Sequence, residues 1–175
     1  EAVEIKSVAL GGAFGRRTEL DVVLQAASIA REHPGKLVQL QWTREDDMRN
    51  DFYRPAAVSR VEGTVADGRI VALHARSAVQ SASVGLTTRL LGFAPPGPDK
   101  STVEGVSDQA YRIPNLRIEN EAVELPVSVG VWRSVGYSYQ AFIMESAIDE
   151  LAQAAGADPV AFRLAHLDAA TREHA

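Results

Sequence analysis

Hydrophobic and polar positions change period several times along the chain, and each change predicts an element. In AVEIKSVA (2–9), Val3, Ile5 and Ser7 share one side, the two-residue period of a strand. The period then lengthens: Leu20, Val23, Leu24, Ala27 and Ile29/Ala30 recur at three and four. That spacing predicts a helix, opened by a Thr18-x-x-Asp21 capping box and closed near His33 by Pro34-Gly35. KLVQLQW (36–42) returns to strand spacing through Val38, Leu40 and Trp42, and TREDDMRND (43–51) is polar and turn-like, with Thr43 capping toward Asp46. Two alternating runs, AVSRVEGTVA and RIVALHARSAVQ, flank Asp67-Gly68, the dipeptide that favours a type I′ hairpin. Val71, Leu73, Ala75 and Val79 give the second run a buried face.

Residues 81–110 lose this order. Gly85, Gly92, Pro95, Pro96, Gly97, Pro98 and Gly105 predict a long loop that is functional or folds only against something else. NLRIENEAVEL (115–125) predicts an edge strand, its acidic residues guarding the open side. YSYQAFIMESAIDELAQAAG predicts a helix with Ile143, Ala147 and Leu151 on its stripe and Gly156 at its end. Asp158-Pro159 starts a second helix to about Asp168, and AATREHA is a fraying tail. The expected fold class is α+β: a mixed β-sheet with helices packed mainly on one face, a β-hairpin at about 57–80 and two C-terminal helices. Residues 1–175 read as a single portion: strand–helix–strand plus hairpin over about 1–80, the loop 81–110, then a strand and two helices over 111–168.

Composition narrows the function. The 175 residues are 46% hydrophobic and 23% charged, ordinary for a globular domain. A net charge of −5 argues against a general nucleic-acid binder. No apolar run approaches the roughly 18 residues that would span a bilayer, and the first thirty lack a signal-peptide layout. With no cysteine, the chain has no disulfide, thiolate zinc site or iron–sulfur ligand of its own. His33, His74, His166 and His174 are dispersed and read as surface or helix-end residues. The start at Glu1 reads as an internal piece of a longer protein.

ALGGAFGRRTELD (9–21) is the main chemical candidate. A glycine turn between a strand and a helix brings backbone N–H groups and a positive helix end together, which can hold a phosphate or an oxo group. It matches neither common nucleotide motif, and a purely structural turn is the plainer account. Phe14 within it, a large aromatic in a glycine loop, packs against something or anchors a core. Arg16 and Arg17 are anion contacts or a solvated pair at the helix start. Arg133, between Gly130 and Gly136, offers a fixed fork of donors, or pairs with the acidic strand at 119–124. Glu145, Asp149 and Glu150 read as surface pairing, and EDDM (45–48) as capping rather than a metal site.

LGGAFGRR (10–17), WTREDDM (42–48), YRIPNLR (111–117) and VWRSVGYSYQAFIMESAIDELAQAAGADPVAFRLAHL (131–167) occur in order. Together they resemble the molybdenum-cofactor-binding large subunit of the xanthine dehydrogenase/aldehyde oxidase family, and most of all its isoquinoline 1-oxidoreductase beta-subunit/aldehyde dehydrogenase branch. The resemblance implies an oxidoreductase that hydroxylates aldehydes or N-heteroaromatic carbons using water. It assigns Gly11, Gly12, Phe14, Gly15 and Arg17 to cofactor binding, Trp132 and Arg133 to substrate binding, and Arg133 to catalysis. The implied cofactor is molybdopterin cytosine dinucleotide. The implied partners are the remainder of the large subunit, a small [2Fe–2S] subunit and a cytochrome electron acceptor, in a bacterial periplasm or cytoplasm. Ala13 departs from the usual third glycine, and Thr18 stands where xanthine-type members carry a substrate-contacting glutamate. The family's late G-x-G-E base is absent from these residues, so the chain alone is expected to be inactive and to lack tightly bound cofactor. The competing expectation is a non-catalytic α+β binding or scaffold module.

Overall fold

A computed structural model of the protein describes residues 3–168 and 171. The described chain forms α1 (Asp21–Glu32), α2 (Arg44–Asn50), β1 (Ala57–Ala66), β2 (Arg69–Val79), α3 (Ala82–Leu91), β3 (Asn115–Ala122), α4 (Tyr137–Ala154) and α5 (Pro159–His166). Its residues gather into two compact units made of discontinuous segments. One comprises Glu1–Arg54, Ala82–Pro96 and Pro126–Arg133; the other comprises Pro55–Ser81, Gly97–Leu125 and Ser134–Ala175.

The second unit holds the sheet, in the order β1-β2-β3, with β1 and β2 antiparallel and β3 parallel to β2. The class is α+β, as the patterning predicts. The hairpin turns at Asp67 (φ 50) and Gly68 (φ 71), two left-handed residues in succession, which is the type I′ requirement. Register slips between Thr64 and Val65: Thr64 faces Ala72, but Val65 faces Ile70. Val71 is therefore the extra residue of a bulge. The slip reverses the side-chain alternation, so Ile70 is buried in place of the expected Val71.

Helices α4 and α5 pack on one face of this sheet. Ile70, Leu73 and Ala75 of β2 meet Met144, Ile148 and Ala152 of α4, Phe162 of α5, and Val106. Each of the larger side chains among them, the Ile, Leu, Met, Phe and Val, contributes about 1.5–3 kcal/mol. Gly63 of β1 admits α4, since a Cβ there would lie 2.7 Å from both Leu151 methyls. The fully buried stripe of α4 is Gln140, Met144, Ile148 and Ala152; the expected Ile143, Ala147 and Leu151 flank it, half-buried. Gln140 is tolerated because its amide donates to Thr102 O at 2.7 Å and to Ser77 Oγ at 3.2 Å. Asp158 caps α5 by accepting from Ala161 N–H, with Pro159 in the first turn. Gly156 (φ 63) follows the end of α4. His166 is not a surface residue: it is 3% exposed, its Nε2 accepts the Ile70 N–H at 2.9 Å, and Nδ1 lies 2.7 Å from Phe162 O.

The first unit departs further from its patterning. Segments 3–9 and 36–42 form no strand, and α1 buries none of its residues. Alternation specifies which side of a strand is apolar; it does not supply a neighbouring backbone, and no described segment pairs with either. Thr18 and Asp21 do not cap α1. The Thr18 hydroxyl donates to Gly15 O at 2.6 Å, and the N-cap position falls on Leu20 with no side-chain cap. The polar stretch after Trp42 is helical, α2, opened by a capping box in which Thr43 and Asp46 each accept from the other's backbone N–H. The expected loop at 81–110 contains α3 and a 3₁₀ turn at Lys100–Val103. Of the tail expected to fray, residues 169, 170 and 172–175, including His174, lie outside the described residues.

Candidate functional site

The glycine bend lies wholly in the first unit, and its backbone explains its sequence. Phe14 (φ 49) and Gly15 (φ 102) are both left-handed, which closes the bend sharply enough for Ala13 O to accept the Arg16 N–H at 2.8 Å. A 3₁₀ turn, Arg16–Thr18, follows. Because α1 opens only at Asp21, its first turn does not carry the bend's donors. Gly15 is obligatory for a second reason: a Cβ there would stand 1.8 Å from Val131 O. At Gly12 a Cβ would lie 2.9 Å from the Phe14 ring, whereas at Gly11 it would meet nothing within 4 Å.

This geometry leaves donors unclaimed. The N–H groups of Gly12, Ala13, Phe14 and Gly15 donate to no acceptor among the described residues. Gly11, Gly12 and Phe14 are exposed, Phe14 at 60%, so the aromatic is not a core anchor. A run of unclaimed main-chain donors at a tight bend is an arrangement that accepts anionic or oxo groups.

The two arginines after the bend separate in role. Arg16 binds Asp21 through two hydrogen bonds of 2.8 Å, meets Asp51 at 2.8 Å, and places its guanidinium over the rings of Trp42 and Phe52. The forked hydrogen bond from Arg16 holds the Asp21 carboxyl below its ordinary range, while burial pushes the Asp51 carboxyl up despite the same cation. Arg17 is exposed and pairs with no acidic group among the described residues.

Arg133 is drawn to the bend by its backbone. Its N–H donates to Phe14 O at 2.8 Å, its carbonyl accepts from Arg54 Nη1 at 3.1 Å, and its guanidinium lies 6.0 Å from the Phe14 ring centroid. The expected ion pair with the acidic strand does not form; Glu119 instead binds His74, Arg76 and Arg117. Trp132, 37% exposed, donates from Nε1 to Phe52 O at 2.9 Å. Ser134 (φ 73) and Val135 (φ 38) follow directly, two non-glycine residues in left-handed conformations. Among the described residues no group of three or more acidic or histidine side chains could hold a metal ion, EDDM included.

Sequence patterning misses four residues that shape this bend. Phe52 fills the space a Cβ at Gly130 would take, 2.6 Å from its own Cβ. Arg54 fixes the Arg133 carbonyl, while Glu19 and Arg89 form an ion pair beside Val129. The lone sequence clue is the glycine at 130, whose cause lies in a distant segment.

The model of the molybdopterin cofactor-binding domain family matches residues 1–167. The chain belongs to this family. Within it, this molybdopterin cofactor-binding domain is 36% identical over 165 residues to the isoquinoline 1-oxidoreductase subunit beta of Brevundimonas diminuta, covering 93% of the chain and 21% of the relative. It is 31% identical over 172 residues to a membrane-bound aldehyde dehydrogenase [pyrroloquinoline-quinone] of Gluconacetobacter polyoxogenes, covering 93% and 22%. The aldehyde oxidoreductase of Desulfovibrio gigas has the same fold at a TM-score of 0.67 and 22% identity, over 91% of this chain and 17% of that one. The domain thus spans about a fifth of the length of these relatives. No described helix is long and apolar enough to cross a membrane.

Proposed function

We propose that this domain contributes the glycine bend and the arginine beside it to the cofactor and substrate site of a molybdenum-dependent oxidoreductase, within a larger subunit. The reaction is hydroxylation of an aldehyde or of an N-heteroaromatic carbon, with water as the oxygen source. The single observation that carries this reading is the run of N–H groups at Gly12–Gly15 that no acceptor among the described residues claims, with Arg133 tethered alongside. The residues fit an anionic pterin-bound group: the donors are main-chain, no side chain stands within 4 Å of the Cβ position at Gly11, and Arg17 is exposed and pairs with no acidic group among the described residues. When bound, the molybdenum cofactor supplies the two-electron oxidation of the substrate carbon.

The chain's own residues then have distinct tasks. Gly11 keeps the approach open, and Gly12, Phe14 and Gly15 donate N–H groups to the cofactor. Arg17 offsets its negative charge. Arg133 presents planar donors to the substrate and stabilises negative charge as it develops there. Trp132 forms part of the pocket wall. We assign molybdopterin cytosine dinucleotide as the cofactor form, a [2Fe–2S] subunit and a cytochrome as the electron route, and the rest of the large subunit as the source of the general base. On this reading residues 1–175 are one portion of the molybdopterin-binding domain and turn over nothing alone.

The test uses the full-length protein. Metal analysis is expected to find molybdenum, and dye-linked assays to find oxidation of aldehydes or N-heteroaromatics. Gly12→Val is expected to remove most of the molybdenum. Arg133→Ala is expected to keep it and lower kcat/KM by roughly a hundredfold or more, the scale of losing a donor aimed at developing charge. An active full-length protein without molybdenum refutes the assignment; an inactive one without it favours the scaffold module.

A further inference from the structure

The Glu19–Arg89 pair has no part in the function proposed above, yet its carboxylate is the most buried ionic group that the described ion pairs place beside the bend. Glu19 is 5% exposed. Both of its oxygens are taken by one guanidinium: Arg89 Nε donates to Oε2 at 3.0 Å, and Nη2 donates to Oε1. The same Nη2 also donates to Val129 O at 2.9 Å, and the guanidinium stacks over Phe52 at 4.2 Å. One side chain of α3 thereby grips the stretch just after the glycine bend and the start of the segment that ends in Arg133.

That segment is built for such a grip. Tyr53 and Val129 form a parallel bridge, with Tyr53 N–H donating to Ser128 O and Gly130 N–H to Tyr53 O, each at 3.0 Å. Gly130 lets Phe52 sit against the backbone, and Gly85 of α3 clears space near Val129 O and the Arg89 guanidinium. Two residues on, Val131 O fills the space at Gly15, and the Arg133 N–H reaches Phe14 O. An unbroken path of contacts therefore runs from Arg89 through Val129 and Val131 to the bend and Arg133.

We propose that Glu19 and Arg89 are positioning residues: their ion pair, formed on the buried Glu19 carboxylate, clamps segment 129–133 against the glycine bend and so sets where Arg133 stands. The proposal rests on the function assigned above for its catalytic meaning, but the clamp itself is a statement about this chain. Arginine is required because one fork must serve two carboxylate oxygens and a carbonyl together; lysine keeps the charge and loses that fork. Glu19→Gln leaves the shape and removes the charge that holds the guanidinium.

The experiment follows the full-length protein in hydrogen–deuterium exchange, molybdenum content and steady-state kinetics. For Glu19→Gln and Arg89→Met, peptides covering 128–133 are expected to exchange at least about tenfold faster, while peptides of the β1–β2 hairpin keep their protection. With molybdenum retained, kcat is expected to fall about tenfold or more with a smaller change in KM, the signature of a misplaced rather than missing group. Arg89→Lys is expected to fall between wild type and Arg89→Met, and it carries the test if Arg89→Met fails to accumulate. Unchanged exchange at 128–133 in Glu19→Gln and Arg89→Lys overturns the clamp, as does faster exchange spread evenly over the protein. If wild type holds no molybdenum, the functional reading fails, and the exchange data still decide the clamp.

Discussion

The two units of this domain are stabilised by different means. In the sheet unit, β2 and two helices enclose a continuous apolar core, and every member of it except Val106, in the stretch expected to be a loop, sits on a predicted strand or helix. In the unit carrying the bend, α1 buries nothing, and Leu24 is 63% and Leu37 94% exposed. Order there comes from arginine: Arg16 on Asp21 and Asp51, Arg89 on Glu19 and Val129, Arg54 on the Arg133 carbonyl. A core held by apolar area tolerates no exposed donors. A framework held by charge and glycine leaves main-chain N–H groups open, as a site for an anionic ligand requires.

The contrast breaks most visibly in stability. Met144→Ala removes a side chain that is 1% exposed at the centre of the core, and a loss of about 2–5 kcal/mol is expected. Leu24→Ala deletes as much apolar surface from α1, yet a change within about 0.5 kcal/mol is expected. Denaturant unfolding of the two variants measures both. Equal losses would mean that the α1 face is buried in the full-length protein, and the two units would then differ less than described.

A smaller effect sharpens the same contrast inside the bend. Gly15→Ala must hold a left-handed φ of 102° and displace Val131 O, so a local cost of about 1–3 kcal/mol is expected, along with loss of molybdenum from the full-length protein. Gly11→Ala meets open space and is expected to leave folding nearly unchanged. Metal content and thermal unfolding of the pair separate a glycine needed for the backbone from one needed only for approach.

What the sequence makes legible follows the range of the interactions. Asp67-Gly68 needs only itself to turn, and Asp158-Pro159 only its own helix, so both are read correctly. The α4 stripe is misplaced by one residue because Gln140, polar in the sequence, is buried by a bond to Thr102 O. His166 does end a helix, but its burial goes unread because the donor it accepts is on Ile70, in another element. At the site, the glycines at 12, 15 and 130 are visible, but their causes are Phe14, Val131 and Phe52, and only Phe14 is a near neighbour. The resemblance names Arg133; nothing in the spacing names Arg89, whose partners Glu19 and Val129 lie in separate segments.

The smallest expected effect tests the claim that ion pairs on the sheet unit are accessory rather than structural. Glu119 of β3 receives His74 of β2 at 2.9 Å, Arg76 at 3.0 Å and Arg117 of its own strand. Hydrogen bonds from His74 first, then Arg117 and Arg76, hold its carboxyl down to about 2 from 4.5. A carboxylate depressed in the folded state adds stability that is fully present above its unfolded pKa. That contribution is lost as pH falls from 4.5 toward 2. Wild type should therefore lose stability through this window, and Glu119→Gln should lose less of it while starting slightly lower at neutral pH. Because these charges face water, the difference should be small and should shrink further in high salt. Thermal unfolding of both proteins across the window measures it. A large, salt-insensitive difference would place part of the sheet unit's stability in charge, and would erase the distinction from the arginine-held unit.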